Sequence, residues 1–369
     1  MKILITGGCG FIGSHLADKL LDKGYEVRIL DNLNSQVHNS ITDIPIYMNK
    51  KADIFLGDIR DSKVVKEALV DVDAVFHFAA MVGVGQSMYE IQEYTDVNNA
   101  GTAVLLEAII KNPVKRLIVA SSMSLYGEGL YINDKNELDS PVDRTYEQLK
   151  NGDWEVLNDE GDILTPIPTP ETKHPNLASI YALSKFDQEK MSLITGRAYN
   201  IPTIALRFFN VYGTRQALSN PYTGVLAIFA ARLLNNNPPL IFEDGNQKRD
   251  FVSVHDVARA CLLALENDNC NYEVFNIGSG NNYTVKEIAD KMAKVLNKDI
   301  APQINGKFRV GDIRHCFADI SKAKKNLNYT PAITFEDGLM ELADWLKNQK
   351  AVDKVNEAQK ELYIRGLTV

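Results

Sequence analysis

The chain has 369 residues, and 48 acidic against 40 basic side chains leave a net charge of −8, which argues against a nucleic-acid partner because such a partner needs a basic face. Its 45% apolar and 24% charged content is that of an ordinary globular protein, and about two domains' worth of chain buries enough surface to fold without disulfide or metal staples. No apolar run approaches the ~20 residues of a membrane span, and MKILITGG at the start lacks the apolar region and cleavage site of a secretory leader.

Residues 2–6 form a continuous apolar strand, followed by helical periodicity over 11–23 and a second strand at 26–30. Further strands are predicted at 53–56, 74–78, 117–120 and 203–207, with helices at 60–69, near 95–111 and near 180–198. Strands alternating with helices make a parallel sheet, and apolar runs without alternation are buried on both faces. The expected fold is therefore α/β, a Rossmann-type doubly wound parallel sheet. Residues 128–176 break the rhythm with Asp, Asn, Glu, Gly and Pro and read as an insertion. Within it, 154–157 and 163–166 flank a polar loop and predict a β-hairpin. The expected division is a dinucleotide-binding domain over 1–214, carrying the insertion, and, over 215–369, mainly a smaller C-terminal α/β substrate-binding lobe with a helical tail. The tail from Ala351 is charged and helical, and its docking is left open.

The first strand runs into Gly7-Gly8-Cys9-Gly10-Phe11-Ile12-Gly13. Gly7, Gly10 and Gly13 permit a tight turn, close backbone approach to a pyrophosphate, and packing of helix on strand. The helix N-terminus then offers free N–H groups to the anion. Eighteen residues beyond Gly13, the second strand ends at Asp31, with Asn32 next. A carboxylate there accepts both ribose hydroxyls of NAD and repels a 2′-phosphate. Asp58-Ile59 follows the third strand, where Asp58 either touches the adenine or caps the helix over 60–69. Phe78-Ala79-Ala80 ends the fourth strand, with small residues beside the expected nicotinamide.

Tyr181 and Lys185 are four residues apart on a predicted helix, so phenol and ammonium share a face. A nearby cation stabilises phenolate, making Tyr181 a usable general base. Ser122 stands at the end of the fifth strand, on the edge where open parallel sheets bind ligands. It is the expected hydrogen-bond donor to substrate, with Ser121 and Ser124 capping or packing. Cys9, Cys261, Cys270 and Cys316 lack paired spacing, so neither metal nor disulfide is expected and a reducing, cytoplasmic setting fits.

TGGCGFIG, SSMSLYG, YALSK, RFFNVYG (207–213) and RDFVSVHD (249–256), in this order, resemble the extended short-chain dehydrogenases of the NAD-dependent sugar-nucleotide epimerase/dehydratase family. The likeness covers nearly the whole chain apart from the insertion and the tail. It implies NAD, a Ser122–Tyr181–Lys185 triad, a nucleoside-diphosphate sugar (dTDP- or UDP-linked), and a homodimer joined through the helices near 95–111 and 180–198. It also implies Lys185 as a ribose ligand and Asn98 near the cofactor. Asn210, Arg249, Arg309 and Asp312 match the family's contacts to substrate diphosphate and nucleoside. In the family's 4,6-dehydratases, Asp-Glu follows the hydroxyl residue; here Met123 and Ser124 stand there, and neither titrates near neutrality. Ser124 likewise departs from the glutamate of the glucuronate decarboxylases. The resemblance thus points to 4-epimerisation. Stretches 82–91, 207–234 and 309–320 resemble dTDP-L-rhamnose 4-epimerases, with a UDP-hexose or UDP-uronate 4-epimerase or a nucleotide-sugar 4-reductase as alternatives. Met81, Val82 and Val84 are expected to pack in the core rather than line a sugar pocket. Relatives that hold a zinc ribbon in the insertion carry cysteines there; this chain has none, so its hairpin is expected to fold without metal.

Overall fold

The computed structural model describes the chain apart from residues 39–42, 140, 223, 310 and 369. The apolar runs become seven parallel strands. These are β1 (Lys2–Thr6), β2 (Glu26–Asp31), β3 (Asp53–Leu56), β4 (Ala74–His77), β5 (Arg116–Ser122), β6 (Thr203–Phe208) and β7 (Val274–Ile277), in the order β7-β6-β5-β4-β1-β2-β3. Strand direction puts alternate residues on opposite faces. Ile3 and Ile5 face one side with Leu16, Leu20 and Val257. Leu4 faces the other with Val75, Leu105 and Leu117. Helices α1 (Phe11–Asp22) and α4 (Val254–Glu266) pack together on the first face, while α2 (Gly101–Lys111) and α3 (Ile180–Ala198) lie on the second. The order of strands reverses between β1 and β4, and the crevice beyond their carboxyl ends is where such sheets receive ligands.

The helix near 95–111 forms as expected, its first turn π-helical over Thr95–Ala100 and the rest α2. Two other expectations are modified. The chain does not divide cleanly at 214. Residues 254–266 form α4 against α1, and 274–277 form β7 at the sheet edge. Apolar faces so short do not advertise which lobe they will complete. The expected hairpin is reduced to a single bridge between Leu157 and Ile163. The Asn158 side chain accepts the N–H groups of Glu160 and Asp162 and holds the turn. Thr165–Ile167 pairs instead with Leu130–Ile132, which also pairs with Leu138–Asp139.

The rest of the C-terminal half packs the helices Val225–Leu234, Val285–Val295 and Phe335–Leu346 around a second core with Tyr212 and Phe251. The tail is docked. Asp353 pairs with Arg232 at 3.4 Å, Leu362 is buried against Gly85, and Thr368 bridges to Arg309.

Candidate active site

The glycine loop fits a dinucleotide. Gly7 lies at φ 70°, and a Cβ there would stand 2.8 Å from the Ala79 nitrogen. A Cβ on Gly13 would stand 2.6 Å from the Gly7 carbonyl oxygen. Only glycine lets loop, helix and the end of β4 approach so closely. Gly10 caps α1 without a side chain, so Phe11, Ile12 and Gly13 open the helix with N–H groups unshielded by a capping side chain. Asp31 ends β2. Its oxygens accept the N–H groups of Cys9 and Leu33, each at 2.9 Å, and a carboxylate keeps lone pairs for two hydroxyls beyond these.

Asn32 is exposed and donates to Asp58 at 3.1 Å. Asp58 is gripped by the Arg60 guanidinium at 2.8 and 2.9 Å, which holds its carboxyl down at about 2. It does not cap the following helix; Asp61 does, and that helix runs Ser62–Ala68. Ile59 is buried among Leu4, Leu30 and Val65, leaving only its backbone to a ligand. Phe78 and Ala79 donate their N–H groups to Thr6 Oγ1, both at 3.2 Å, and Ala80 follows them half-buried at the crevice. Asn98 is fully buried. Its amide is committed to the Met81 backbone at 2.7 and 3.1 Å and to Ser184 Oγ at 2.9 Å, so it locks the loop after β4 onto α3. Val82 and Val84 are exposed rather than core residues, because the loop turns outward after Met81.

Ser122, Tyr181 and Lys185 come together at the carboxyl edge of the sheet. Ser122 closes β5 and itself caps the 3₁₀ turn Met123–Tyr126, accepting the Ser124 N–H at 3.2 Å. Ser124 Oγ donates to Ser122 Oγ at 2.9 Å, and Ser121 donates to Glu189 at 2.8 Å. Ser179 caps α3 and sets Tyr181 in its first turn, where the Tyr181 N–H donates to Ser87 Oγ at 3.0 Å. Burial pushes the Tyr181 phenol above its ordinary value, and its hydrogen bond with Ser122 opposes this. Lys185 is buried, which brings its ammonium down to about 7, with the Glu189 charge resisting. Lys185 turns its Nζ to Gln188 Oε1 at 2.5 Å, and Ser122 is the hydroxyl that draws the phenol toward phenolate.

On the substrate side, Asn210 carries a buried Oδ1 without a partner among the described residues. Arg309 stacks its guanidinium over Phe242 at 4.2 Å, with a buried Nε likewise unpartnered. Arg249, expected to contact the diphosphate or nucleoside, has its guanidinium on backbone carbonyls. It donates to the carbonyls of Lys248 at 3.0 Å, Arg314 at 2.9 Å and Ile313, and stands 3.8 Å from Asp312. Asp312 also accepts the Ile313 N–H at 2.9 Å.

Several residues escaped the sequence reading. Glu189 receives Arg207 in a buried two-pronged pair at 2.8 and 2.9 Å, and Arg207 also donates to the Tyr126 hydroxyl at 2.7 Å. Arg314 is fully buried against Glu155, Glu243 and Asp244. Gln188 and Glu189 lie three and four residues beyond Lys185, a spacing that placed them under it. Nothing local marked Arg314.

Fold and site together define a dinucleotide-dependent enzyme with a Ser–Tyr–Lys constellation at the sheet's ligand edge. The model of the NAD dependent epimerase/dehydratase family matches residues 3–149 and 160–278, and the chain belongs to that family. It is similar to a dTDP-L-rhamnose 4-epimerase of Burkholderia thailandensis, at 33% identity over 94% of this chain and 95% of that one. It is also similar to a putative UDP-glucose 4-epimerase of Methanocaldococcus jannaschii, at 36% identity over 94% and 98%. A solved UDP-glucose 4-epimerase from Thermotoga maritima with UDP-glucose superposes with a TM-score of 0.76 at 33% identity, covering 94% of this chain and 99% of that one. The protein is an NAD-dependent sugar-nucleotide epimerase, and NAD is its cofactor. Among the described residues no helix is long and apolar enough to cross a membrane, and no cluster of metal-ligating side chains occurs.

Proposed function

We propose that this enzyme inverts C4 of a nucleoside-diphosphate sugar, interconverting dTDP-L-rhamnose and dTDP-6-deoxy-L-talose. The observation that carries the reading is Ser122 at the end of β5 and Tyr181 in the first turn of α3, brought together at the edge of the sheet beside the Gly7–Ala79 crevice. The Gly7–Gly13 loop and Asp31 would hold NAD, which supplies the hydride acceptor and donor when bound. Tyr181 takes the proton of the C4 hydroxyl at its phenol oxygen and returns it after the 4-keto sugar has turned its other face. Ser122 has a single proton to give, which draws Tyr181 toward phenolate without the sugar and turns to the reacting oxygen when the sugar is bound. Lys185 adds positive charge and a donor for the ribose. Asn98 acts by position, through Met81 and Ser184. Arg309 offers a free Nε–H to the diphosphate, Asn210 offers a free acceptor oxygen to a substrate hydroxyl or N–H, and Asp312 stands beside Arg249. Met123 and Ser124 supply no acid or base for eliminating water.

The likeness to the Burkholderia enzyme supports the dTDP-linked deoxysugar. The likeness to the Methanocaldococcus protein supports a UDP-hexose. Exposed Leu183 and Ile194 on α3 support a dimer built on the outer faces of α2 and α3. Four buried, free cysteines agree with a reducing cytoplasm. The test is incubation of purified protein with dTDP-L-rhamnose and no added cofactor, following the sugar protons by NMR. A 6-deoxy-talose signal at equilibrium is the expected result. Turnover of UDP-galactose or UDP-galacturonate alone overturns the sugar and keeps the chemistry. Silence with every sugar while NAD is bound overturns the reaction.

A further inference from the structure

Beneath Tyr181 lies a buried chain of polar groups that the reaction itself does not use. Lys185 Nζ donates to Gln188 Oε1 at 2.5 Å, and Gln188 is fully buried. Gln188 Nε2 donates to Thr102 Oγ1 at 2.8 Å and to the Ala79 carbonyl at 3.4 Å. Thr102 gives its hydroxyl proton to the Asn98 carbonyl at 2.5 Å. It therefore accepts from its other neighbours, His77 Nε2 at 2.8 Å among them. His77 is then the Nε2–H tautomer, and its Nδ1 accepts from Thr6 Oγ1 at 2.8 Å. Thr6 Oγ1 in turn accepts the N–H groups of Phe78 and Ala79. Burial keeps His77 neutral, its value brought down to about 3.

This count of donors and acceptors leaves the Gln188 amide one orientation. Gln188 Nε2 also stands 3.2 Å from His77 Nε2, whose proton goes to Thr102 at 2.8 Å. Turned over, the amide's carbonyl oxygen would face Thr102, whose proton is already committed, and its NH₂ would face an ammonium. Two donors would then meet in a dry site, at the cost of a buried unsatisfied group. The titratable groups around Lys185 are Tyr181 and Glu189 on α3 and His77 on β4. Glu189 is committed to Arg207, and His77 is neutral. Gln188 is what meets the ammonium.

We propose that Gln188 is a positioning residue for epimerisation, holding the Lys185 ammonium in an orientation that Thr102 on α2, His77 on β4 and Thr6 on β1 enforce. The proposal rests on Lys185 supporting the Tyr181 phenolate. Its test reads that support with and without turnover. Gln188→Leu and Gln188→Glu are prepared with NAD bound, beside the wild type. Tyr181 ionisation is followed by ultraviolet phenolate absorbance, with a Tyr181→Phe blank subtracted. The pH dependence of kcat and KM is measured in parallel.

Gln188→Leu is expected to raise the pH at which Tyr181 ionises. It should lower kcat on the order of tenfold near neutrality, the factor that one unit in the ammonium's titration produces. KM should stay unchanged, and the alkaline limb of kcat should move to lower pH, because the unheld ammonium loses its proton sooner. Gln188→Glu keeps an acceptor, so it should restore part of kcat and move that limb to higher pH. Wild-type kcat with an unmoved phenolate titration in Gln188→Leu overturns the proposal. So does a loss equal at every pH with the titration unmoved, which is what a purely structural role gives. If Gln188→Leu does not fold, Thr102→Val frees the amide to turn and should produce a smaller shift of the same sign; no shift there overturns the proposal. A moved titration in a protein that epimerises no sugar would retain Gln188 and overturn the proposed reaction instead.

Discussion

The polar floor beneath Tyr181 and the charged cluster around Arg314 are both buried, but they are made of different materials. The floor consists of neutral groups with matched donors and acceptors (Gln188, Thr102, His77, Thr6) and one ion pair, Arg207 on Glu189. The cluster sets two arginines among several carboxylates. Arg314 meets Glu155 at 2.6 Å, Asp244 at 2.6 Å and Glu243 at 3.0 Å, and Arg144 meets Glu243 at 2.9 Å. Glu128 accepts the N–H groups of Arg314 at 2.5 Å and His315 at 3.0 Å. Burial lifts the Glu243 carboxyl, while Arg314 holds Asp244 down at about 2. The floor hangs mostly on α3 and the ends of β1 and β4, and it fixes an angle for chemistry. The cluster joins segments far apart in the chain and docks the insertion, through Glu128, Arg144 and Glu155, onto the C-terminal lobe. A neutral network tolerates little rearrangement, because any flip leaves a buried group unpaired. A network of several charges has spare partners.

Substitutions that strike one network and spare the other sharpen this contrast. The largest effect is on rate. Tyr181→Phe should lower kcat on the order of 10²- to 10⁴-fold, the usual worth of general acid–base catalysis. NAD should stay bound, as read by its absorbance after gel filtration. Next comes stability of the floor. Glu189→Ala leaves Arg207 buried and uncompensated and should cost about 3–5 kcal/mol in urea unfolding. Arg314→Leu in the cluster should cost less, about 1–3 kcal/mol, because Arg144 still meets Glu243. An equal loss from both would erase the distinction between a network without spare partners and one with them.

Acid separates the two regions further. The hydrogen bond from His315 and the pairing with Arg314 hold Glu155 at about 2 in the folded protein, below its ordinary 4.5. A depressed folded value means stability that is present above 4.5 and is lost as pH falls toward 2. Thermal melts across that window should fall less steeply in Glu155→Gln than in the wild type. The smallest effect lies outside both networks. Thr284 and Glu287 form a reciprocal cap at 3.1 and 2.7 Å on the helix Val285–Val295. Thr284→Ala should cost about 1 kcal/mol and leave kcat unchanged, which calibrates the larger losses.

Much of the site was legible because its parts are local. Gly7 to Gly13 and Asp31 belong to one strand–helix–strand unit, and Tyr181 and Lys185 share one helix turn. Ser122 was found by its place at a strand end, although the sequence did not reveal that it caps the turn after it. The core roles of Val82 and Val84 were misread, the cap is the alternative for Asp58 that the structure rejects, and the 154–166 hairpin shrank to one bridge, for one reason. Each depends on which neighbour competes for the same group. Arg60 claims Asp58, the loop after Met81 turns outward, and Leu130–Ile132 claims Thr165–Ile167.

By itself the sequence determined the parallel sheet, the dinucleotide crevice and the Ser122–Tyr181–Lys185 constellation. Apolar runs, glycine spacing and helical periodicity act within about twenty residues and leave their mark in the chain. Only the tertiary structure decided that 274–277 completes the large sheet, that the tail reaches back to Arg309, and that Arg249 folds onto the carbonyls beside it. It also decided that Lys185 answers to Gln188. Those outcomes turn on satisfying buried donors and acceptors brought in from distant segments, and a polar side chain carries no sign of its partner until packing removes the water.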